Sequence, residues 1–240
     1  MGAAPDNLDT IAHLYRRGLL PRRGAIADLG CSQLRGASPD DLKRFFKCFN
    51  VTIDDAEVER LAAHNVFLAE PIKRAGFFYR AFDIVEAPDC EWFDLNVDRV
   101  PKRRRGKFDL VLNFGTTEHV LDQANAFRTL HDLIKPRGMI YSLFLRSGNM
   151  DHGLVHYTDR FVDLLCEANC YQTILRDDAS DGHCTWIIMR KTSDLPFAPP
   201  IDVQLGEELP HMSEPPPPEP RGPLASLLSR WGLAKSSGRS

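Results

Sequence analysis

Two stretches of this chain break abruptly from apolar residues into small and polar ones, and the residues at those breaks are the ones that could do chemistry. Residues 108–119 read FDLVLNFGTTEH, and residues 24–30 read GAIADLG. A buried parallel strand is a near-continuous apolar run, and its carboxyl end is where an open α/β sheet offers a ligand site. Two such ends in one domain point to a nucleotide-like ligand. Close by stand side chains able to move protons. His119, His152 and His156 carry imidazoles, which titrate near neutral pH, and they fall in loops after the fourth and fifth expected strands. His152, in the segment DHG at 151–153, is the preferred base. Glu118 could orient an amino group or a substrate, or serve a helix N-terminus as a first-turn acid. Asp151, His152 and His156 could together bind a metal ion, yet three ligands from one short loop lack a helix to fix their spacing. Cys166 and Cys170 do stand at i,i+4 spacing, without a nearby second pair to complete a site. No metal centre is expected.

The elements that must hold these residues follow from periodicity. An amphipathic helix is expected over 6–17, packed on the domain's edge, and a first strand over 25–29. Some fifty-five residues then separate Asp28 from Asp83, where a minimal βαβ step puts the next strand-end acid roughly twenty residues on. A helical insertion over about 36–76 fills the gap: Ser38 and Pro39 read as a helix start, and 54–75 reads as helical again. Strands are expected at 77–84, 91–96, 108–114 and 139–145, with a helix over 125–134 stopped by KPRG at 135–138. Thr158 caps a further helix to 168, and strands at 171–175 and 185–190 close the domain as an antiparallel hairpin. The fold class is therefore α/β, a Rossmann-like, seven-stranded, mostly parallel sheet.

Composition bounds the possibilities. The chain has 240 residues, 43% of them hydrophobic, enough for one substantial core spanning 1–195. A formal net charge of -3 argues against a general nucleic-acid binder. The basic cluster at 102–105 reads as a solvated turn. Six scattered cysteines with no CxxC pair, and no leader-like apolar N-terminus, suggest a reduced, cytoplasmic protein. Residues 196–240, with four consecutive prolines at 215–218, read as a disordered tail carrying a short amphipathic helix over 223–233. That helix would suit a peripheral membrane contact or a protein partner.

Over 24–190 the ordered motifs resemble those of the class I S-adenosylmethionine-dependent methyltransferases. Asp28, Leu29 and Gly30 resemble the first motif, and Asp83 stands where the second strand ends. Phe93, Asp94 and Leu95 resemble the adenine-contacting segment, residues 108–114 the fourth motif, EHV at 118–120 the triplet that commonly follows it, and LIKPRG at 133–138 the turn before strand five. The longer segment after Gly30, with GTTEH, FRTLH at 127–131 and DHGLVHY at 151–157, looks like a little-characterised bacterial group within that superfamily. The resemblance implies S-adenosyl-L-methionine as cofactor and methyl transfer to an O or N nucleophile on a small molecule or glycan.

It also implies site roles. A glycine at position 30 lets backbone approach the ligand, and Asp83 can accept both ribose hydroxyls. Asp94 would take the adenine amino group beside the apolar Leu95, while Asn113 and Gly115 line the floor below the sulfonium. Asp28, Asp109 and the Asp94 segment have purely structural uses as caps or turn formers too. The departure lies after Gly30, where Cys31, Ser32 and Gln33 replace the family's Gly-x-Gly and Ser32 could hydrogen-bond the methionine carboxylate. That departure motivates a rival reading, a binding or scaffold module without turnover. A nicotinamide-dependent oxidoreductase ranks last, since the GxGxxG fingerprint is missing.

Overall fold

A computed structural model describes residues 2–63, 66–148, 151–178 and 182–201. In chain order the elements are β1 (Gly2–Ala3), α1 (Pro5–Arg16), β2 (Ala25–Leu29), β3 (Gln33–Leu34), α2 (Pro39–Cys48), α3 (Asp55–Ala62), β4 (Val66–Phe67), α4 (Ala69–Arg74), β5 (Phe78–Asp83) and β6 (Cys90–Trp92). There follow β7 (Phe108–Phe114), a 3-10 turn (Thr117–His119), α5 (Gln123–Leu133), β8 (Ile134–Leu145), α6 (Asp159–Ala168), β9 (Tyr171–Asp178) and β10 (Cys184–Lys191).

Among the described residues the main sheet has seven strands in the order β6-β5-β2-β7-β8-β10-β9. Its first five run parallel, and β10 pairs antiparallel with both β8 and β9. The chain builds outward from β2 to β6, then returns to β7 on the other side of β2. That reversal opens a crevice at the carboxyl ends of β2 and β7, where Leu29 stands level with Asn113. Thr116 bridges it, its hydroxyl donating to Leu29 O.

Alternation along the strands divides the core between the two sheet faces. Ile26, Leu110, Leu112 and Phe114 pack on one face with α1 to α4, through Leu8, Ile11, Leu42, Phe45, Phe46, Val58, Leu61 and Ile72. Ala27, Leu29 and Val111 pack on the other with α5 and α6, through Phe127, Leu130, Val162 and Leu165. Helix α1 is thus part of the core rather than an edge element. Its Asn7 donates to Tyr141 Oη at 2.8 Å, which fixes it across the sheet.

The expected insertion is a packed layer on this first face. Its start is as read: Ser38 Oγ accepts from Asp41 N–H, Asp41 answers with a carboxylate on Ser38 N–H, and Pro39 opens α2. The single helix expected over 54–75 is two helices, α3 and α4, separated by β4. Val66 and Phe67 pair with Leu34 and Gln33, and β3 pairs with β1, making a small second sheet. Strands of two residues carry no periodic signal, so tertiary pairing alone creates them.

Residues just past 195 still pack on the domain. Asn169 exchanges two 2.9 Å hydrogen bonds with the backbone of Ala198, and Phe197 packs beside His131 and under Arg128. The expected short helix over 223–233, like the rest of the chain from 202 onward, lies outside the described residues. No helix among the described residues is long and apolar enough to cross a membrane.

Candidate active site

At the carboxyl ends of β5, β6 and β7 lies a cleft of about 250 Å³. Asp83 and Asp94, which stand at the ends of neighbouring strands, both line it, with Phe82, Phe93, Leu95, Thr116, His119 and Val120. Its volume is near the lower end for small-molecule sites, about 300 Å³, and suits the nucleoside part of a larger ligand.

Asp83 is held by the turn that follows β2. Gly30, at φ +90°, donates its N–H to Phe82 O, and Cys31 N–H then donates to Asp83 Oδ2 at 2.9 Å. Only a glycine adopts that φ without strain, so Gly30 is what swings the Cys31 amide onto the acid. Val85 N–H donates to the other carboxylate oxygen at 3.2 Å. Asp94 folds into an Asx turn, its Oδ1 accepting from Asn96 N–H at 2.8 Å. Asn96 Oδ1 accepts from Leu121 and Asp122 N–H, which locks the loop after β6 to the loop after β7. Asn125 Nδ2 holds Leu95 O and Asp98 O from below.

Other expected site residues do not line this cleft. Asp28 is fully buried beneath it, its Oδ2 accepting from Tyr79 Oη at 2.6 Å and Ser32 N–H at 3.1 Å. Its Oδ1 has no hydrogen-bond partner, and burial lifts the carboxyl to about 7. Ser32 is buried too, its carbonyl accepting from Leu68 N–H. Asn113 has no exposure, and its amide is committed to Thr117 Oγ1, Ser142 Oγ and the N–H groups of Thr116 and Thr117. It shapes the floor by holding the following turn. Gly115 makes that turn at φ +80°, where an added Cβ would meet Glu118 Oε1 at 3.0 Å. Asp109 is structural, accepting from Ala25 N–H and pairing with Lys135 Nζ, both at 2.8 Å. The basic turn at 102–105 is tied down by Arg103 and Arg104 on Glu91.

The proton-transfer candidates gather at the His119 end. Glu118 O accepts from Leu154 and Val155 N–H, docking the 151–157 loop on the 3-10 turn. Gly153 permits this approach at φ +80°, with Glu118 O only 3.1 Å from where its Cβ would be. The His119 and His152 rings meet edge to face, centroids 4.8 Å apart. Burial, with His152 beside it, lowers the His119 pKa. Glu118 is 2% exposed, and that burial raises its carboxyl above the usual range. His156 places Nε2 3.3 Å from Gly148 O. Phe93, in the segment that resembles the adenine-contacting motif, lines the cleft as well, and so do Thr116 and Val120, for which no individual role was read from the sequence. Both stand inside quoted motifs, Thr116 in GTTEH at 115–119 and Val120 in EHV at 118–120.

A family model described as a methyltransferase domain matches residues 41–186, more than half of the chain. The match begins after the segment Gly30–Gln33 in which the first motif departs from pattern. No curated protein matches the chain. Among solved structures, it is similar to the 1,6-didemethyltoxoflavin-N1-methyltransferase of Burkholderia thailandensis, bound to 1,6-didemethyltoxoflavin and S-adenosylhomocysteine, at 15% identity over 79% of this chain and 78% of that one, TM-score 0.48. A sarcosine dimethylglycine methyltransferase assigned in Galdieria sulphuraria gives 12% identity over 78% and 85%, TM-score 0.49. A methyltransferase from Aquifex aeolicus gives 10% over 78% and 98%, TM-score 0.43. Matched by that family model and built on the sheet described above, the chain belongs to the class I S-adenosylmethionine-dependent methyltransferases.

Proposed function

We propose that this methyltransferase moves the methyl group of S-adenosylmethionine to an O or N nucleophile on a small molecule that enters beside His119. The supporting observation is a single cleft lined by two strand-end carboxylates, Asp83 and Asp94, and by His119, against whose ring His152 packs from outside the lining.

The donor set fits the cofactor. Asp83 presents a carboxylate already anchored on one lone pair per oxygen, which leaves acceptor capacity for two ribose hydroxyls. Phe93, Leu95 and Val120 offer an apolar slot for the adenine ring, with Asp94 beside it for the amino group. Gly30 acts indirectly, through the turn that aims the Cys31 amide at Asp83. Bound S-adenosylmethionine supplies a methyl group already activated by its sulfonium charge. The chain's own work is then to hold the acceptor in line and exclude water, a proximity effect. A neutral His119, kept so by its lowered pKa, or His152 next to it, takes the proton of a hydroxyl or ammonium acceptor. Glu118 supports that end from its buried position.

Titration calorimetry with S-adenosylhomocysteine tests the reading: binding is expected, and Asp83→Ala is expected to weaken it about tenfold or more, as for a lost charged hydrogen bond. No heat at millimolar ligand would remove the proposal. Binding without methyl transfer to any hydroxyl or amine acceptor in a small-molecule extract would favour the non-catalytic reading.

A further inference from the structure

We infer that Glu118, His119 and His152 form a binding site for a divalent first-row transition-metal ion, at the mouth of the cleft. One ligand atom from each of the three lies within 4.8 Å of the other two. Two imidazoles and one carboxylate converging on one point, with solvent on the far side, make a facial ligand set with open positions.

Three independent features support it. Glu118 is 2% exposed and its Oε2 has no hydrogen-bond partner, a costly arrangement for a carboxylate unless something fills the gap. The two glycines around it, Gly115 and Gly153, leave no room for side chains, so its carboxylate is wedged beside the histidines. The two histidines belong to different loops, yet backbone hydrogen bonds from Leu154 and Val155 to Glu118 O hold those loops together. A convergence of this kind is hard to read from sequence, because His152 stands more than thirty residues from the adjacent Glu118 and His119. Nitrogen-rich ligation suits Zn²⁺, Mn²⁺, Fe²⁺ or Co²⁺ better than Mg²⁺, which prefers oxygen.

The inference deepens the proposed function and rests on it for one point, that the acceptor enters beside His119. His119 both lines the cleft and belongs to the ligand set, so an acceptor oxygen entering there would reach an open metal position. Coordination lowers the pKa of a hydroxyl, as it does for water. With the ion bound the two imidazoles serve as ligands rather than as bases, so the acceptor proton goes to solvent, the oxygen forms the new O–C bond, and the C–S bond breaks with its electron pair returning to sulfur. Acceptors with an ionisable hydroxyl beside a second donor atom, able to chelate, are the expected class.

The test uses the full chain, freed of metal by chelation, and Co²⁺ as the probe, read by its visible absorption. One Co²⁺ per chain is expected with imidazole and carboxylate character, and His119→Ala, His152→Ala and Glu118→Gln should each weaken it at least about tenfold. Equal Co²⁺ binding by the parent and all three variants, or an intense thiolate-to-cobalt band marking capture by the free cysteines, would overturn the site. S-adenosylhomocysteine affinity, measured in parallel, is expected to survive His152→Ala, whose side chain is not part of the cleft lining, and reports that the variant is folded. Failure of the parent to bind S-adenosylhomocysteine would sink the cofactor reading and leave the cobalt result to stand or fall alone.

Discussion

Asp28 shows how one side chain couples the site to the stability of the whole protein. Burial raises its carboxyl to about 7, so the native state keeps a proton that the unfolded chain releases near pH 4. Because the folded state binds more protons between those values, stability present below about pH 4 is lost as pH rises through 7. The ceiling on that loss is on the order of 4 kcal/mol. Asp28→Asn is expected to flatten this part of the profile, visible as urea midpoints that change less than those of the parent between pH 5 and pH 8; parallel profiles would show that Asp28 does not carry it. Asp28 and Asp83 look alike in sequence, each an acid ending an apolar strand. Their neighbours separate them: Tyr79 and Ser32 close over Asp28, while the turn at Gly30 leaves Asp83 facing the cleft.

At the scale of elements, the docking of the 151–157 loop on the 3-10 turn decides where the histidines meet. Gly153→Ala puts a Cβ at φ +80° against Glu118, and the expected cost is about 1–2 kcal/mol, measured by thermal or denaturant unfolding. The same substitution should loosen His152 and lower Co²⁺ affinity, whereas unchanged affinity would mean that the loop does not set the ligand geometry. Helix α6 offers a control remote from the cleft. Thr158 Oγ1 accepts from Phe161 N–H at 3.1 Å, so Thr158→Ala is expected to cost about 1 kcal/mol while leaving S-adenosylhomocysteine affinity intact. Elements with strong local signals were legible: β7 runs over the residues expected, 108–114, and the Ser38 and Thr158 caps open their helices. The break between α3 and α4 was not, because β4 exists only by pairing with β3.

For the molecule as a whole, the described fold ends near Ala198, where Asn169 and Phe197 fasten the chain. We propose that the described residues are sufficient for folding and cofactor binding, so a chain ending at Ile201 should melt within a few degrees of the full chain and bind S-adenosylhomocysteine equally. A larger drop would show that the tail packs on the domain. Sequence alone determined the sheet, its seven strands and the acids at two strand ends, because those features are written in short apolar runs and in the residues that interrupt them. It also carried the resemblance to the methyltransferases, motif by motif. Only the tertiary structure decided which polar residues face the cleft and which sit beneath it, and that Glu118 and His119 meet His152. The reason is physical: strand and helix formation depends on neighbours in the chain, whereas burial and convergence depend on how separate loops pack at the sheet's edge, and no local pattern encodes that distance.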